Sequence, residues 1–302
     1  MNSSIAVGVF DGLHLGHRQI LDRALARARR RDGRCVVVSF DPHPDVVLAP
    51  QFQAPAPLTP HTERRELLTA IGVDLYEVIP FTRELAALAP EEFLDRYLIE
   101  PFGMRDLVVG ANFALGKGRA GHAARLAAIG VLRGFEVEAV PLLELDGGPV
   151  SSTRIRGLLA EGRVAEAARQ LGRRYGFTGI VVTGDGLGRT LDCPTANVRL
   201  REEKFLPADG IYAARARIGG EADWRPAAMS IGVRPTFGEQ ARALEVHLLD
   251  WSGELVGRGL EVELDSWVRA QHKFDSVAAL ADAIQADLRL IRTRLAAASA
   301  PA

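Results

Sequence analysis

The chain has 302 residues, long for one domain and comfortable for two, since a typical domain holds about 100–200. Hydrophobic residues make up 47% and aromatic residues 6%, which favours alanine-rich helices beside aliphatic strands over an aromatic-lined scaffold. With 37 basic against 38 acidic side chains, the broad basic footprint of a duplex-binding protein or a polybasic membrane anchor is excluded, whereas a local nucleotide site is not.

The opening residues, MNSSIAVGVFDG, carry neither a basic leader nor an apolar run of signal length, and no stretch approaches about 20 apolar residues. A cytoplasmic protein with no membrane partner is expected. Ile5–Phe10 reads as a first strand and Arg18–Arg31 as a helix with Ile20, Leu21, Ala24, Leu25 and Ala28 on one face. Cys35–Phe40 is continuously apolar, as strands buried on both faces of a parallel sheet are. The proline-rich stretch Pro42–Pro60 reads as a loop, then Thr59 and Pro60 as the N-cap and first position of a helix ended by Gly72. Strands at Leu75–Ile79, Leu107–Val109 and Phe135–Val140 alternate with helices near Pro90–Ile99 and Ala120–Ile129. This rhythm predicts a doubly wound, Rossmann-like parallel sheet, with ligands beyond the carboxyl ends of its strands.

Two short helical patterns follow, Thr153–Ala160 and Val164–Gln170. From Gly176 the texture changes to short strands at Phe177–Thr183, Gly210–Ile218, Ala227–Ile231, Leu244–Leu249 and Leu260–Leu264, which suggests a small antiparallel β-barrel. A terminal helix carries an apolar stripe, Val277, Leu280, Ala281, Ile284, Leu288, Ile291 and Leu295, for covering a barrel face. Two domains are expected, residues 1–172 and 173–302. The two cysteines, Cys35 and Cys193, can form neither a disulfide framework nor an all-cysteine metal site, and fit a reducing compartment.

The segment GVFDGLHLGH, residues 8–17, lies between the first strand and first helix. Gly12 and Gly16 can let the backbone turn tightly, and the helix start offers unpaired N–H groups that can bind phosphate. His14 and His17 can add hydrogen bonds there. By spacing alone phosphate binding is favoured over a capped, solvent-exposed histidine loop, and a metal pair, which lacks a convincing third ligand, comes last. A second segment, SSTRIR at residues 151–156, places hydroxyls and an arginine at a helix start, suited to gripping phosphates. In the C-terminal half, GDGLGRTLDCPTAN, residues 184–197, ends with Thr195 and Asn197 on one side of an extended segment, two oxygen donors suited to Mg²⁺. Glu245 falls at an outward position of a strand whose Leu244, Val246 and Leu248 face in.

These segments, in this order, resemble the bacterial bifunctional riboflavin kinase/FMN adenylyltransferase (FAD synthetase) family. GVFDGLHLGH is similar to its HxGH signature and SSTRIR to its SSTxxR loop. SFDPHP, residues 39–44, resembles its FDPHP loop, which puts Phe40 and His43 near the nucleotide or flavin. VGANFALGKGRAG, residues 109–121, resembles a glycine-rich loop, with Asn112 where aspartate is frequent. The stretch through PTAN, then SIGVRPTF at 230–237 and LEVHLLD at 244–250, resemble riboflavin kinase motifs. The resemblance implies ATP, riboflavin and FMN as substrates, FAD as product, and Mg²⁺.

It carries catalytic roles onto His14, His17, Arg156 and Glu245, and nucleotide or flavin binding onto Gly8, Phe10, Asp11, Gly16, Asn112, Ser152, Thr153, Gly184, Gly188, Arg189, Thr195 and Asn197. The last two are also the implied metal ligands, and Glu245 the implied base. Asp192-Cys193 replaces the family's glycine-phenylalanine before PTAN, and Ala270 and Gln271 replace proline and glutamate near the last strand. A monofunctional adenylyltransferase, a non-catalytic flavin-binding protein and a nucleic-acid-related HxGH protein are the alternatives. The charge balance counts against the last.

Overall fold

The computed structural model describes residues 2–49, 51, 55–184, 193–233 and 242–298. By contacts the chain divides into two compact units, Met1–Ser152 and Thr153–Ala302.

In the first unit the aliphatic runs become parallel strands. β1 (Ser3–Val7) is buried along its whole length and β2 (Arg34–Asp41) everywhere but its ends, with α1 (Leu15–Arg30) crossing between them. Next come α2 (Pro44–Leu48), α3 (His61–Ile71), β3 (Leu75–Pro80) and α4 (Arg83–Ala87). A helix then passes from α5 (Pro90–Leu94) through a π-helical turn at Asp95–Ile99 into α6 (Glu100–Phe102). The unit continues with β4 (Met104–Gly110), a hairpin of β5 (Ala114–Leu115) and β6 (Gly121–His122), and α7 (Ala123–Arg133). It closes with β7 (Glu136–Val140) and a hairpin of β8 (Glu144–Leu145) and β9 (Gly148–Pro149).

The sheet order is β3-β2-β1-β4-β7, every neighbouring pair parallel. The chain direction across the sheet reverses between β1 and β4, which opens a crevice beyond their carboxyl ends. Both faces are covered. Ala6, Val37 and Val108 pack with Leu21, Ala24 and Leu25 of α1, while Ile5, Val38 and Leu107 pack with Phe93, Leu126 and Ile129 on the other side.

An ion-pair network ties α1 to the sheet. Asp106 of β4, 1% exposed, accepts from Arg27 (2.9 Å), Arg31 (2.7 Å) and the Ser4 hydroxyl (2.8 Å). The same arginines reach Glu136 and Glu138 of β7. Burial works to raise the Asp106 carboxyl, but the bonds from Arg31, Ser4 and Arg27 outweigh it and hold the group below its usual range.

Helix α8 (Ser152–Ala160) starts on the last residue of the first unit and continues in the second, where α9 (Val164–Leu171) follows. A closed antiparallel barrel follows: β10 (Gly176–Val182), β11 (Ala196–Leu200), β12 (Gly210–Ile218), β13 (Arg225–Val233), β14 (Arg242–Leu248) and β15 (Gly259–Ala270). They close in the order β10-β11-β14-β13-β12-β15. Alternation fills the interior: Leu244, Val246 and Leu248 of β14 are buried, whereas Glu245 and His247 between them are partly exposed. The terminal helix α10 (Val277–Ala298) packs Leu288 and Ile291 against Ala213, Leu249 and Cys193.

Several elements differ from the sequence expectation. The Pro42–Pro60 stretch contains α2, because His43 caps it by accepting from the Asp45 N–H (3.2 Å). Helix α3 begins one residue late, with Pro60 at the cap: the Pro60 carbonyl accepts from the Arg64 N–H (2.8 Å), while the Thr59 carbonyl is taken by the Arg64 guanidinium (2.9 Å). Helix α7 starts at Ala123 because Gly121 and His122 pair with Leu115 and Ala114. β15 runs to Ala270, well past Leu264, sustained by pairing with β12 as far as Gly210. Val277, at the head of the expected apolar stripe of α10, is 71% exposed.

Asp106→Ala should destabilise the chain by about 3–5 kcal/mol at pH 7, as expected when one partner of a buried ion pair is removed. Urea unfolding, with hydrogen exchange at β1 and β4 as the local readout, checks this. A carboxyl held low contributes stability above its unfolded value of about 3.9 and loses it as pH falls through the folded value, so the difference should fade in acid.

Candidate active sites

The turn after β1 concentrates backbone strain. Phe10 (φ 52°) and Leu13 (φ 42°) adopt the left-handed region along with Gly12 (φ 84°), a conformation costly for side chains of that size. The Phe10 ring, 1% exposed, lies against Gly8, where a Cβ would sit 3.3 Å from it, and meets the His17 ring edge-on at 5.2 Å. This turn delivers His14 to the cap of α1.

There its Nδ1 accepts from the His17 N–H (3.2 Å), and the two imidazoles stack with centroids 3.6 Å apart. An Nδ1 that accepts carries no proton, so a neutral His14 keeps its N–H at Nε2 as a donor. Gly16 leaves room for the ring: a Cβ there would sit 3.2 Å from His14 Nδ1. Burial first, then the charges of His14 and Arg64, push His17 well below the usual histidine range, so the ring is neutral at pH 7.

Asp11, 6% exposed, turns its carboxylate into the protein. It accepts from the backbone N–H groups of Leu58 (3.2 Å) and Thr59 (3.0 Å) and lies 3.6 Å from Arg64 Nη2. Its own carbonyl accepts from the Ser152 hydroxyl (2.8 Å). Asp11 therefore joins the turn, the entry to α3 and the first residue of α8. Asn112 is exposed in the loop after β4, its carbonyl accepting from Arg119 (3.1 Å). The loops carrying His14, His17 and Asn112 thus follow the two strands at which the sheet order reverses. Phe40 is 8% exposed and packs edge-on against Phe81 in the core. Thr153, exposed, and Arg156, partly buried, lie on α8 with the second unit.

In the barrel, register builds the site. Asn197 of β11 pairs with Glu245 of β14, which pairs on its other side with Ser230 of β13. Directly opposed residues share a sheet face, so the three form one polar row on the outer surface. His247, next along that face of β14, donates from Nδ1 to the Pro194 carbonyl (2.9 Å). Gln271 donates to the Ser230 hydroxyl (2.9 Å). Cys193 is buried, and burial followed by the Glu245 charge raises its thiol to about 11, so it is a small apolar filler rather than a nucleophile. Thr195 is exposed and Asn197 partly buried. A Cβ on Gly184 would collide with the Asn197 amide, which packs directly against the glycine. Gly188 and Arg189 lie outside the described residues.

Among the described residues no group of three or more His, Cys, Asp or Glu side chains could hold a metal. By donor chemistry, the neutral oxygens of Thr195 and Asn197 suit instead a hard cation that arrives with phosphate ligands of its own. Two residues outside the sequence candidates, Arg64 and Ser230, join these clusters. Ser230 sat within a quoted motif, whereas Arg64 left no signal beyond a charged residue early in a helix.

Residues 1–154 match the family model described as FAD synthetase, and residues 171–295 the model described as riboflavin kinase. A bifunctional riboflavin kinase/FMN adenylyltransferase from Pseudomonas fluorescens is 41% identical over 297 residues, covering 97% of this chain and 93% of that protein. One from Listeria monocytogenes is 35% identical over 288 residues, covering 95% and 90%. The chain belongs to the bifunctional riboflavin kinase/FMN adenylyltransferase family. A solved structure described as a macrolide-efflux protein from Streptococcus pneumoniae shares 31% identity with this family member and a TM-score of 0.86, covering 96% of this chain and 94% of that one. Efflux is said of that protein. Among the described residues here, no helix is long and apolar enough to cross a membrane.

Asp11→Ala should destabilise the N-terminal unit by about 2–5 kcal/mol, because two buried N–H groups and Arg64 lose their acceptor together. Asp11→Asn, which keeps one acceptor oxygen, should cost less. Thermal unfolding of the three proteins side by side measures the difference.

Proposed function

We propose that this chain phosphorylates riboflavin at the Asn197–Glu245 row of the barrel and adenylylates the resulting FMN at the His14–His17 turn. The observation that carries the reading is the capped histidine stack, with His17 held neutral, at the reversal of the sheet, in the same chain as a barrel carboxylate paired with Asn197. The functional boundary is drawn at residues 1–172 and 173–302. Thr153 and Arg156 belong by motif to the adenylyl-transfer signature, although α8 and α9 group by contacts with the second unit. Both cysteines are free and buried, which supports a cytoplasmic location.

In adenylyl transfer an FMN phosphate oxygen attacks the α-phosphorus of ATP, and the bond from that phosphorus to the pyrophosphate oxygen breaks. No side-chain nucleophile is needed; the protein must align two anions and stabilise the charge that develops. His14 offers Nε2–H in a fixed direction. His17, held neutral, donates without exchanging protons with the substrate. Arg156 and the hydroxyls at the start of α8 supply the remaining donors, while Gly8, Gly16 and Asn112 shape the approach.

In phosphorylation the terminal ribityl hydroxyl of riboflavin attacks the γ-phosphorus of ATP, and ADP leaves. Glu245 accepts the hydroxyl proton, for which its outward position on a rigid strand is suited. Thr195 and Asn197 would hold the Mg²⁺ that accompanies the nucleotide, which supplies charge compensation on the phosphates.

Product analysis of purified chain with riboflavin, ATP and Mg²⁺ tests the whole reading: FMN should appear first, then FAD and pyrophosphate. If riboflavin gives no FMN while added FMN gives FAD, the bifunctional reading fails. His17→Ala or Arg156→Ala should lower FAD formation from FMN by about 10²–10³-fold and spare phosphorylation. Glu245→Gln should lower FMN formation by about 10²–10⁴-fold and spare adenylylation. Equal loss of both reactions in a folded variant would overturn the two-site assignment.

A further inference from the structure

An aromatic ring of the barrel lies against the turn from α8 into α9. In β15, Leu260, Val262 and Leu264 are buried on the inward face, and continued alternation would turn Ser266 inward next. Asp265 has no partner on β12, however, and this one-residue bulge gives the inward place to Trp267, directly opposite Tyr212. The Trp267 ring meets that of the fully buried Tyr212 edge-on at 5.2 Å. Glycines make room on two sides of the indole. A Cβ on Gly210, at the start of β12, would sit 2.7 Å from its Cη2, and a Cβ on Gly162, in the α8–α9 turn, would collide with its Cε3. Gly162 (φ 76°) also holds the left-handed backbone that ends α8.

Backbone bonds tie the same turn to the barrel. The Ala208 N–H, just ahead of β12, donates to the Leu159 carbonyl in the last turn of α8 (2.9 Å). Val164, Ala167 and Leu171 of α9 are buried, and α9 packs along β15. Trp267 is itself held from a third side, its carbonyl accepting from Arg294 of α10. We propose that Trp267 is a positioning residue for adenylyl transfer: wedged between Gly210 and Gly162, its indole fixes α8 and with it Arg156, one turn before Leu159. The inference rests on the proposed assignment of Arg156 to that reaction.

Closing the end of a barrel calls only for apolar volume, which several side chains of about the right size supply. A rigid indole seated between two glycines does more. With its last turn bonded to Ala208 and blocked by the ring, α8 is fixed against sliding along its axis and rotating about it. Adenylyl transfer needs no side-chain nucleophile, so its catalysis is alignment, and a misplacement of about 1 Å can cost about 10²-fold. The phosphorylation row lies on the other face of the barrel wall. Met229, opposite Tyr212, is buried on the inward face, whereas its neighbour Ser230 pairs with Glu245 on the outward one. Trp267 therefore serves the reaction assigned to Arg156 and not the one assigned to Glu245.

The test uses the full chain with Trp267→Ala, Trp267→Phe and the double variant Trp267→Ala/Arg156→Ala, and riboflavin phosphorylation in the same samples is the folding control. In Trp267→Ala the kcat for FAD formation from FMN should fall by about 10–100-fold while phosphorylation holds. Trp267→Phe, which keeps a ring on the seat, should recover most of that rate. In the Arg156→Ala background, Trp267→Ala should cost no more than about twofold further, since the group it positions is gone. Unchanged FAD formation in Trp267→Ala, or losses that multiply in the double variant, overturns the proposal. Should Trp267→Ala lose phosphorylation as well, Gly162→Ala decides, because its methyl displaces the turn and leaves every barrel side chain unaltered; FAD formation at the full rate then overturns the proposal. Hydrogen exchange of the unaltered chain is a readout independent of activity. The Gly162 and Arg163 N–H groups, which donate to Leu159 and Leu158, should exchange as slowly as those of β15, and exchange at loop rates overturns the fixed seat. If Arg156→Ala alone makes FAD at the full rate, it is the reading of that arginine that fails, and the proposal with it.

Discussion

The N-terminal half of this protein turns on one buried carboxylate. Asp11 sits in a strained turn that no run of apolar residues could hold, because Phe10 and Leu13 adopt backbone conformations that cost energy. Its oxygens collect two backbone N–H groups from the entry to α3, and its carbonyl collects the Ser152 hydroxyl. Three segments far apart in the chain are thereby fixed to one residue. Once the turn is fixed, His14 has one position available, at the cap of α1, and His17 stacks on it.

The barrel solves a similar problem by other means. Glu245 needs no strained turn, because β-sheet register delivers it: closing the barrel brings β11 and β13 to either side of β14, so Asn197 and Ser230 flank the carboxylate at fixed spacing. One site is therefore made from loops pinned by buried polar bonds, and the other from regular backbone pairing. Cys193 illustrates the difference. Beside the regular row it is merely a buried filler under α10, and its thiol is pushed away from ionisation.

Much of this was legible along the chain. The alternation of apolar runs and helical stripes predicted the parallel sheet and its helices, and glycine-punctuated short strands predicted the barrel. The catalytic candidates were legible because the segments that carry them are contiguous: a helix start with two histidines, a hydroxyl run, a carboxylate on an alternating strand. Local competition was not. Thr59 looked like a cap until the Arg64 guanidinium claimed its carbonyl, and Gly121-His122 looked helical until a two-residue hairpin claimed them.

The sequence by itself determined the two folds, the order of the motifs and the chemistry of the side chains offered, because periodicity, glycine placement and contiguous signatures are local properties. Tertiary structure alone decided which way Asp11 points, that burial holds His17 neutral, and that Asn197, Glu245 and Ser230 share one row. Those facts depend on which segments meet after folding, and on the loss of solvent around them. Burial and cross-strand register arise only when residues distant in the chain are brought together.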